Sequence, residues 1–256
     1  MTRIRFVYYN LWQKYPVLAR SSEHPQFPAE ETQNDSRQFF FRSKYVSAGG
    51  SLTQNIDIDL GVAQEYNFVA VFDHNVSSGN TEFKVYGADN SAFSTNVVSD
   101  TITWYAGSAF VFLGTARTKR YIRIKVNDTG AGTNYIQLGK IVVGKYFEPS
   151  RNFVKGYQDG YEDFSEVEFS DSMMMSALQR PKPRAFELPF NGVDDASAAG
   201  FIAILNECGQ GAPFVICRDT ANPNTNSFLV RLDGLNYPQN TGPGRWDWDA
   251  SLKEVL

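Results

Sequence analysis

Two cysteines and two histidines in 256 residues leave little material for metal or redox chemistry. Cys208 and Cys217 are too few for a disulfide framework and lack the C-x-x-C spacing of zinc or thiol-exchange sites. They read as reduced core thiols, although separation along a chain does not decide whether two thiols meet, so a single bridge stays open. His24 and His74 stand apart, with no H-x-x-x-H or H-E-x-x-H pattern, which excludes a histidine-built catalytic zinc site. No G-x-S-x-G elbow, P-loop or G-x-G-x-x-G is present, so neither an activated serine nor a nucleotide cradle is expected. Runs of about 18 apolar residues are absent, and the start Met1-Thr2-Arg3-Ile4-Arg5 leads into alternation, so neither membrane insertion nor Sec export is expected. Basic residues show no clustering on the scale that a phosphate backbone demands, which argues against nucleic acid. No catalytic residue, metal or cofactor is assigned.

Aromatics are plentiful: 20 Phe, 13 Tyr and 4 Trp, which favours sheets over helices. In the first half the apolar residues repeat with period two, as in Ile122, Ile124 and Val126 against Arg123 and Lys125, the mark of half-buried antiparallel strands. Short runs of this kind, separated by polar turns such as Ser77-Ser78-Gly79-Asn80, indicate a sandwich or barrel. The net charge of −4 is uneven: residues 1–150 carry 15 Lys and Arg against 13 Asp and Glu, and residues 151–256 carry 9 against 15. This asymmetry, with a change of texture after Phe147, divides the chain into a sandwich (1–148), a connecting arm (149–184) and a smaller β-rich domain (185–256). In the last part Phe186, Leu188 and Phe190 alternate as a strand. Asp194 or Asp195 can cap a helix through Ala198, Phe201, Ile202 and Leu205 to a stop at Gly209, the only convincing helix in the chain.

Several groupings invite a chemical role. Asp57 and Asp59 share a strand face as metal carboxylates would, but alternation makes that face the solvent side of an apolar strand, or one that caps loop amides. Asp73-His74 is better read as a polar turn than as part of a triad, for want of a serine elbow. The acidic cluster Glu162, Asp163, Glu166, Glu168 and Asp171 reads as a solvated or partner-facing strip, and Met173-Met174-Met175 as adaptable contact surface. Trp104 and Tyr105 can stack on a sugar ring, or can belong to the core; in an alternating strand one of the two must face outward.

Residues 19–90 resemble the discoidin, or coagulation-factor C-type, galactose-binding-like family. The resemblance is carried by Ala19-Arg20-Ser21-Ser22, Phe27-Pro28-Ala29-Glu30, Phe41-Arg42-Ser43, Ile56-Asp57-Ile58-Asp59-Leu60-Gly61, Phe72-Asp73-His74-Asn75 and Val85-Tyr86-Gly87-Ala88-Asp89. With Tyr121-Ile122-Arg123-Ile124 as a late strand it covers residues 1–148, and it implies a jelly-roll sandwich. Residues 150–256 resemble phage distal-tail and minor tail proteins in architecture, through Arg180-Pro181-Lys182-Pro183-Arg184, the strand Ala185 to Phe190, and the strand Gly211 to Ile216. That resemblance implies a virion structural protein of the tail tip or baseplate, made in the host cytoplasm and assembled with other tail proteins and copies of itself. Glu162 and Asp163 against Arg180, Lys182 and Arg184 are then the expected assembly contacts, while the sandwich packs on neighbours or binds a host-surface glycan. The rivals are a stand-alone carbohydrate-binding module of a secreted or cell-surface system, and a hydrolase whose carboxylate pair is invisible in sequence.

Overall fold

A computed structural model describes residues 3–45, 52–128, 134–169 and 175–256. Asp171, Met173 and Met174 lie outside the described residues. The chain is mainly β and divides into two compact units, Met1–Phe147 with Cys217–Ser227, and Glu148–Ile216 with Phe228–Leu256. A linear division at 148 and 184 does not foresee that the segment 217–227 belongs with the first unit.

The first unit contains β1 (Arg5–Val7), α1 (Leu11–Lys14), β2 (Val17–Arg20), β3 (Phe41–Arg42), β4 (Leu52–Phe72) and β5 (Asn80–Ala88). It continues with β6 (Val98–Thr101), β7 (Thr103–Tyr105), β8 (Ser108–Asp128), β9 (Gln137–Leu138) and β10 (Ile141–Gly144). Strands β4 and β8 are 21 residues each and pair antiparallel along their length, with a register shift between Asp59 and Gln64. Gly61, with φ +71°, takes at that break a backbone conformation that side chains resist. Before the break β4 also pairs with β2, and β8 with β5, which carries β6; after it β4 pairs with β10 and β8 with β7. Two leaves of a sandwich arise in this way from one pair of long strands. Ile56, Ile58, Ile122 and Ile124 from one leaf and Val69, Val71, Ala109 and Val143 from the other form a single buried cluster.

The period-two reading holds in β8, where Ile122, Ile124 and Val126 are buried and Arg123 and Lys125 half-buried. It fails at Asp57. That side chain is not on a solvent face: it is 6% exposed and lies across the ladder from Arg123, which grips it through Nε and Nη2, both at 2.7 Å. Asp59 takes the same bidentate grip from Arg120, at 2.8 and 2.9 Å. Burial of the first carboxylate is tolerated because the neighbouring strand supplies a guanidinium of matching geometry. The Asp73-His74 turn is structural: Asp73 has φ +56°, its carboxylate is held by Arg37, and His74 is buried with its ring edge-on to Phe83 at 5.4 Å. Burial lowers the pKa of the His74 imidazole.

The second unit contains β11 (Gln158–Tyr161), β12 (Glu166–Phe169), β13 (Met175–Leu178), β14 (Arg184–Val193) and α2 (Asp195–Cys208). β15 (Phe214–Cys217), the single-turn α3 (Pro223–Asn226), β16 (Ser227–Leu232), β17 (Gln239–Gly242) and β18 (Arg245–Glu254) follow in the chain. The main sheet runs β15-β16-β18-β14-β11, with β17 added to β18, while β12 and β13 form a separate hairpin. The helix begins and ends where the sequence places it, since Asp194 accepts a hydrogen bond from the Ser197 amide at 2.8 Å and Gly209 caps the far end. α2 lies on the sheet through Phe201, whose ring sits 4.2 Å from Trp248 and 5.0 Å from Phe190. The connecting arm is partly sheet: β11 pairs antiparallel with β14 as its edge neighbour. Cys208 and Cys217 are both buried thiols with no disulfide between them, and burial pushes the Cys217 thiol pKa up.

Candidate functional site

An aromatic cluster surrounds one arginine at the β3–β9 end of the first unit. Phe41 pairs with Leu138 and Arg42 with Gln137, and both apolar partners are buried. Because side chains alternate along a strand, that burial turns Arg42 and Gln137 to the opposite side. Backbone bonds then fix the neighbouring turn: the Arg42 amide donates to the Phe27 carbonyl at 3.0 Å, and the His24 amide to the Arg42 carbonyl at 2.8 Å. The other wall is held by two polar side chains. Buried Ser43 accepts from the Ile136 amide at 3.0 Å, and Asn75 bridges the Tyr135 carbonyl at 2.9 Å and the Gln137 amide at 2.6 Å.

The Phe27 and Phe40 rings stack at 5.1 Å and 19°. Arg42 Cζ lies over Phe27, Phe40 and Tyr135 at 4.5, 4.7 and 4.8 Å, and its Nε donates to Gln137 Oε1 at 3.1 Å. The three rings and Gln137 are all half-buried, so part of each reaches solvent. Phe39 and Tyr45 flank the cluster and are exposed, 47% and 69%. The amide of Asn134 donates to the Tyr45 hydroxyl. Chemically the arrangement sets partly exposed aromatic rings beside an oriented cation.

The residues singled out from the sequence lie elsewhere. Trp104 and Tyr105 sit in the β7–β8 hairpin, both half-buried. The Trp104 indole N–H donates to the Val76 carbonyl at 2.8 Å and the ring packs on the core, whereas the Tyr105 ring lies 6.2 Å from Phe110. In the second unit the arm's charges pair within the chain. Arg180 meets Glu166 at 2.6 Å, Lys182 meets Asp163 at 2.5 Å, and Glu162 meets Lys253 at 2.8 Å. The Lys182 ammonium and Ser165 hold the Asp163 carboxyl down at about 2. Arg184 lies over the Tyr161 and Phe228 rings, 3.9 Å from Asp159. A groove of about 550 Å³ lined by Asn236, Tyr237, Asp247 and Asp249 also opens in this unit. Its polar atoms are partly engaged already, Asp247 by the Gly192 amide at 2.7 Å and the Asn236 amide by the Asp249 carbonyl at 3.3 Å.

Sequence reasoning passed over the arginine cluster, although Phe27, Phe41, Arg42 and Ser43 carry the family resemblance. The signal was the run Phe40-Phe41-Arg42, where alternation sends Phe41 inward and leaves Phe40 on the side of the cation.

No family model and no curated protein matches the chain. Among solved structures it is similar to a chitosan-binding module from a chitosanase/glucanase of Paenibacillus sp. IK-5, at 24% identity and a TM-score of 0.43, over 53% of this chain and 98% of that one. It is also similar to the family 32 carbohydrate-binding module of Clostridium perfringens NanJ in complex with galactose (16% identity, TM-score 0.41, 56% of this chain and 99% of that one). The lectin domain of lectinolysin complexed with Lewis B antigen is a third (17% identity, TM-score 0.39, 54% and 96%). Likenesses of this degree assign no ligand and no binding residue to this chain, and none of the three is a tail protein.

Proposed function

We propose that the chain is a non-catalytic saccharide-binding protein whose ligand face is formed by Phe27, Phe40, Arg42 and Tyr135. The supporting observation is three partly exposed aromatic rings gathered about one guanidinium, on a backbone locked at both walls. Aromatic faces take the C–H face of a pyranose ring, while the guanidinium fork and the Gln137 amide take its oxygens. Preorganisation matters here, because a small ligand on an open surface gains little beyond what ordering the site would cost. Affinity in the range of about 1 mM to 1 μM is the expected scale for one such contact. A glycan array probed with the purified protein tests the reading, followed by titrations with Phe27→Ala and Phe40→Ala. Binding should fall in both variants while their melting stays close to that of the parent. An array without ligands, or variants that bind as the parent does, would refute it.

A second reading is assembly of the chain with a protein partner through residues 149–184, and one observation supports an interface there. Tyr161, Phe164, Val167, Met175 and Leu178 are all exposed, between 47% and 66%. Apolar side chains gathered on one exposed segment suit a protein interface. Mass measurement of the purified protein, compared with a Val167→Ser, Leu178→Ser variant, tests it without disturbing the internal charge pairs. A monomeric parent would count against it.

A further inference from the structure

We infer that the ligand of the aromatic face is an acidic saccharide, and that Arg42 binds its carboxylate; the inference rests on the reading of that face as a saccharide site. Five other guanidiniums of the first unit each have a carboxylate partner. Arg20 meets Glu23 at 2.8 Å, Arg37 meets Asp73 at 2.5 Å, Arg117 meets Asp100 at 2.8 Å, Arg120 meets Asp59 at 2.8 Å, and Arg123 meets Asp57 at 2.7 Å. Arg42 departs from this pattern: no carboxylate lies within salt-bridge distance of it among the described residues. Its Nε–H goes to Gln137, a neutral amide that orients the fork without discharging it. Aromatic rings stabilise the cation electrostatically but offer no lone pairs to its N–H groups. Both terminal nitrogens are therefore left without an acceptor among the described residues.

Nearby acids do not fill the gap. Both oxygens of Glu23 are engaged, Oε1 by Arg20 at 2.8 Å and Oε2 by the Ala29 amide at 3.0 Å. Lys44, two residues along, is exposed and likewise has no carboxylate partner among the described residues. The face thus carries uncompensated positive charge in a chain of net charge −4.

The two terminal nitrogens of the guanidinium offer the paired donors that a planar carboxylate meets with two parallel bonds. A neutral hydroxyl would satisfy one donor and leave the charge unmatched, whereas a charge-assisted bond is about twice as strong as a neutral one. A sugar ring bearing its carboxylate can engage the fork and rest its C–H face on Phe27 or Phe40 in the same pose.

The experiment compares matched probes by calorimetry: galacturonate trisaccharide against its fully methyl-esterified form, and sialyllactose against lactose. At least one acidic probe should bind about tenfold more tightly than its neutral counterpart, and the advantage should shrink as salt is raised. Arg42→Gln should abolish the discrimination while leaving weak binding through the rings, and Arg42→Lys should restore part of it. Melting curves of both variants, expected near that of the parent, separate loss of binding from loss of fold. Equal binding of acidic and neutral probes, unchanged in Arg42→Gln, would overturn the inference while the saccharide reading stands. Failure of every saccharide on the array would remove both. Arg42-dependent binding to phosphatidylserine vesicles without saccharide binding would assign the face to a lipid surface and overturn both as well.

Discussion

Removing the Asp57 carboxylate should cost far more stability than removing Asp59 two residues away, although both are held by an arginine through two short bonds. In Asp57→Ala the Arg123 guanidinium loses its counter-charge while its side chain is only 26% exposed. Breaking a fully buried pair from one side costs about 3–5 kcal/mol. The remaining solvent access, and the Phe93 ring that Arg123 still faces at 4.0 Å, bring the expected cost to about 2–3 kcal/mol. The Asp59 pair is open to water, with side chains 25% and 43% exposed, so its ionic part contributes about 0–1 kcal/mol. Asp59 also accepts from the Gly61 amide at 2.8 Å, which brings the total for Asp59→Ala to about 1 kcal/mol. Urea unfolding of the first unit reads both values: the midpoint for Asp57→Ala should fall by about 1 M, and that for Asp59→Ala by less than half as much, at unchanged slope. Adding Arg123→Met to Asp57→Ala should recover part of the loss, because the stranded cation is then gone. Equal midpoint shifts for the two single variants, or no recovery in the double variant, would refute the assignment of the cost to burial.

Lys140 is buried and donates to Gln13, the Gln33 carbonyl and Asp35, each at 3.1 Å; desolvation lowers its pKa below the ordinary 10.5. Over the window between the lowered value and 10.5 the unfolded chain binds more protons, so stability relative to Lys140→Met should rise with pH, as paired melting series will show. Asp194→Ala removes the α2 cap and should cost about 1 kcal/mol in the second unit's unfolding transition, whereas Asp194→Asn should cost little. Both cysteines are buried, so modification by an aromatic disulfide reagent should follow the unfolding rate and accelerate in denaturant; rapid labelling under native conditions would contradict the burial. EDTA should leave the melting temperature unchanged, because the carboxylates of Asp57 and Asp59 are already held by arginines.

Local pattern carried the sequence reading where a residue's fate depends on its near neighbours. The alternation of Ile122, Ile124 and Val126 and the cap of α2 belong to this class, since a strand face or a helix end is determined within a few residues. Asp57 does not: its burial depends on Arg123, which only the β4–β8 register places opposite it. A charge in an apolar strand is read as solvent-facing unless its partner is known, and hydropathy does not identify partners. The arm 149–184 misleads in the reverse sense, for Gln158–Tyr161 has no buried face yet is ordered along β14 by backbone hydrogen bonds, which need no apolar period. The arginine cluster is the extreme case. Arg42 and Gln137 are separated by 95 residues, and their meeting depends on a two-residue strand pair anchored by Phe41 and Leu138. Each contributor alone looks ordinary: a half-buried Phe, a Tyr in a turn, an Arg after a Phe run. What sets them apart is a cation whose partners orient it without neutralising it, and that property exists only after the chain has folded.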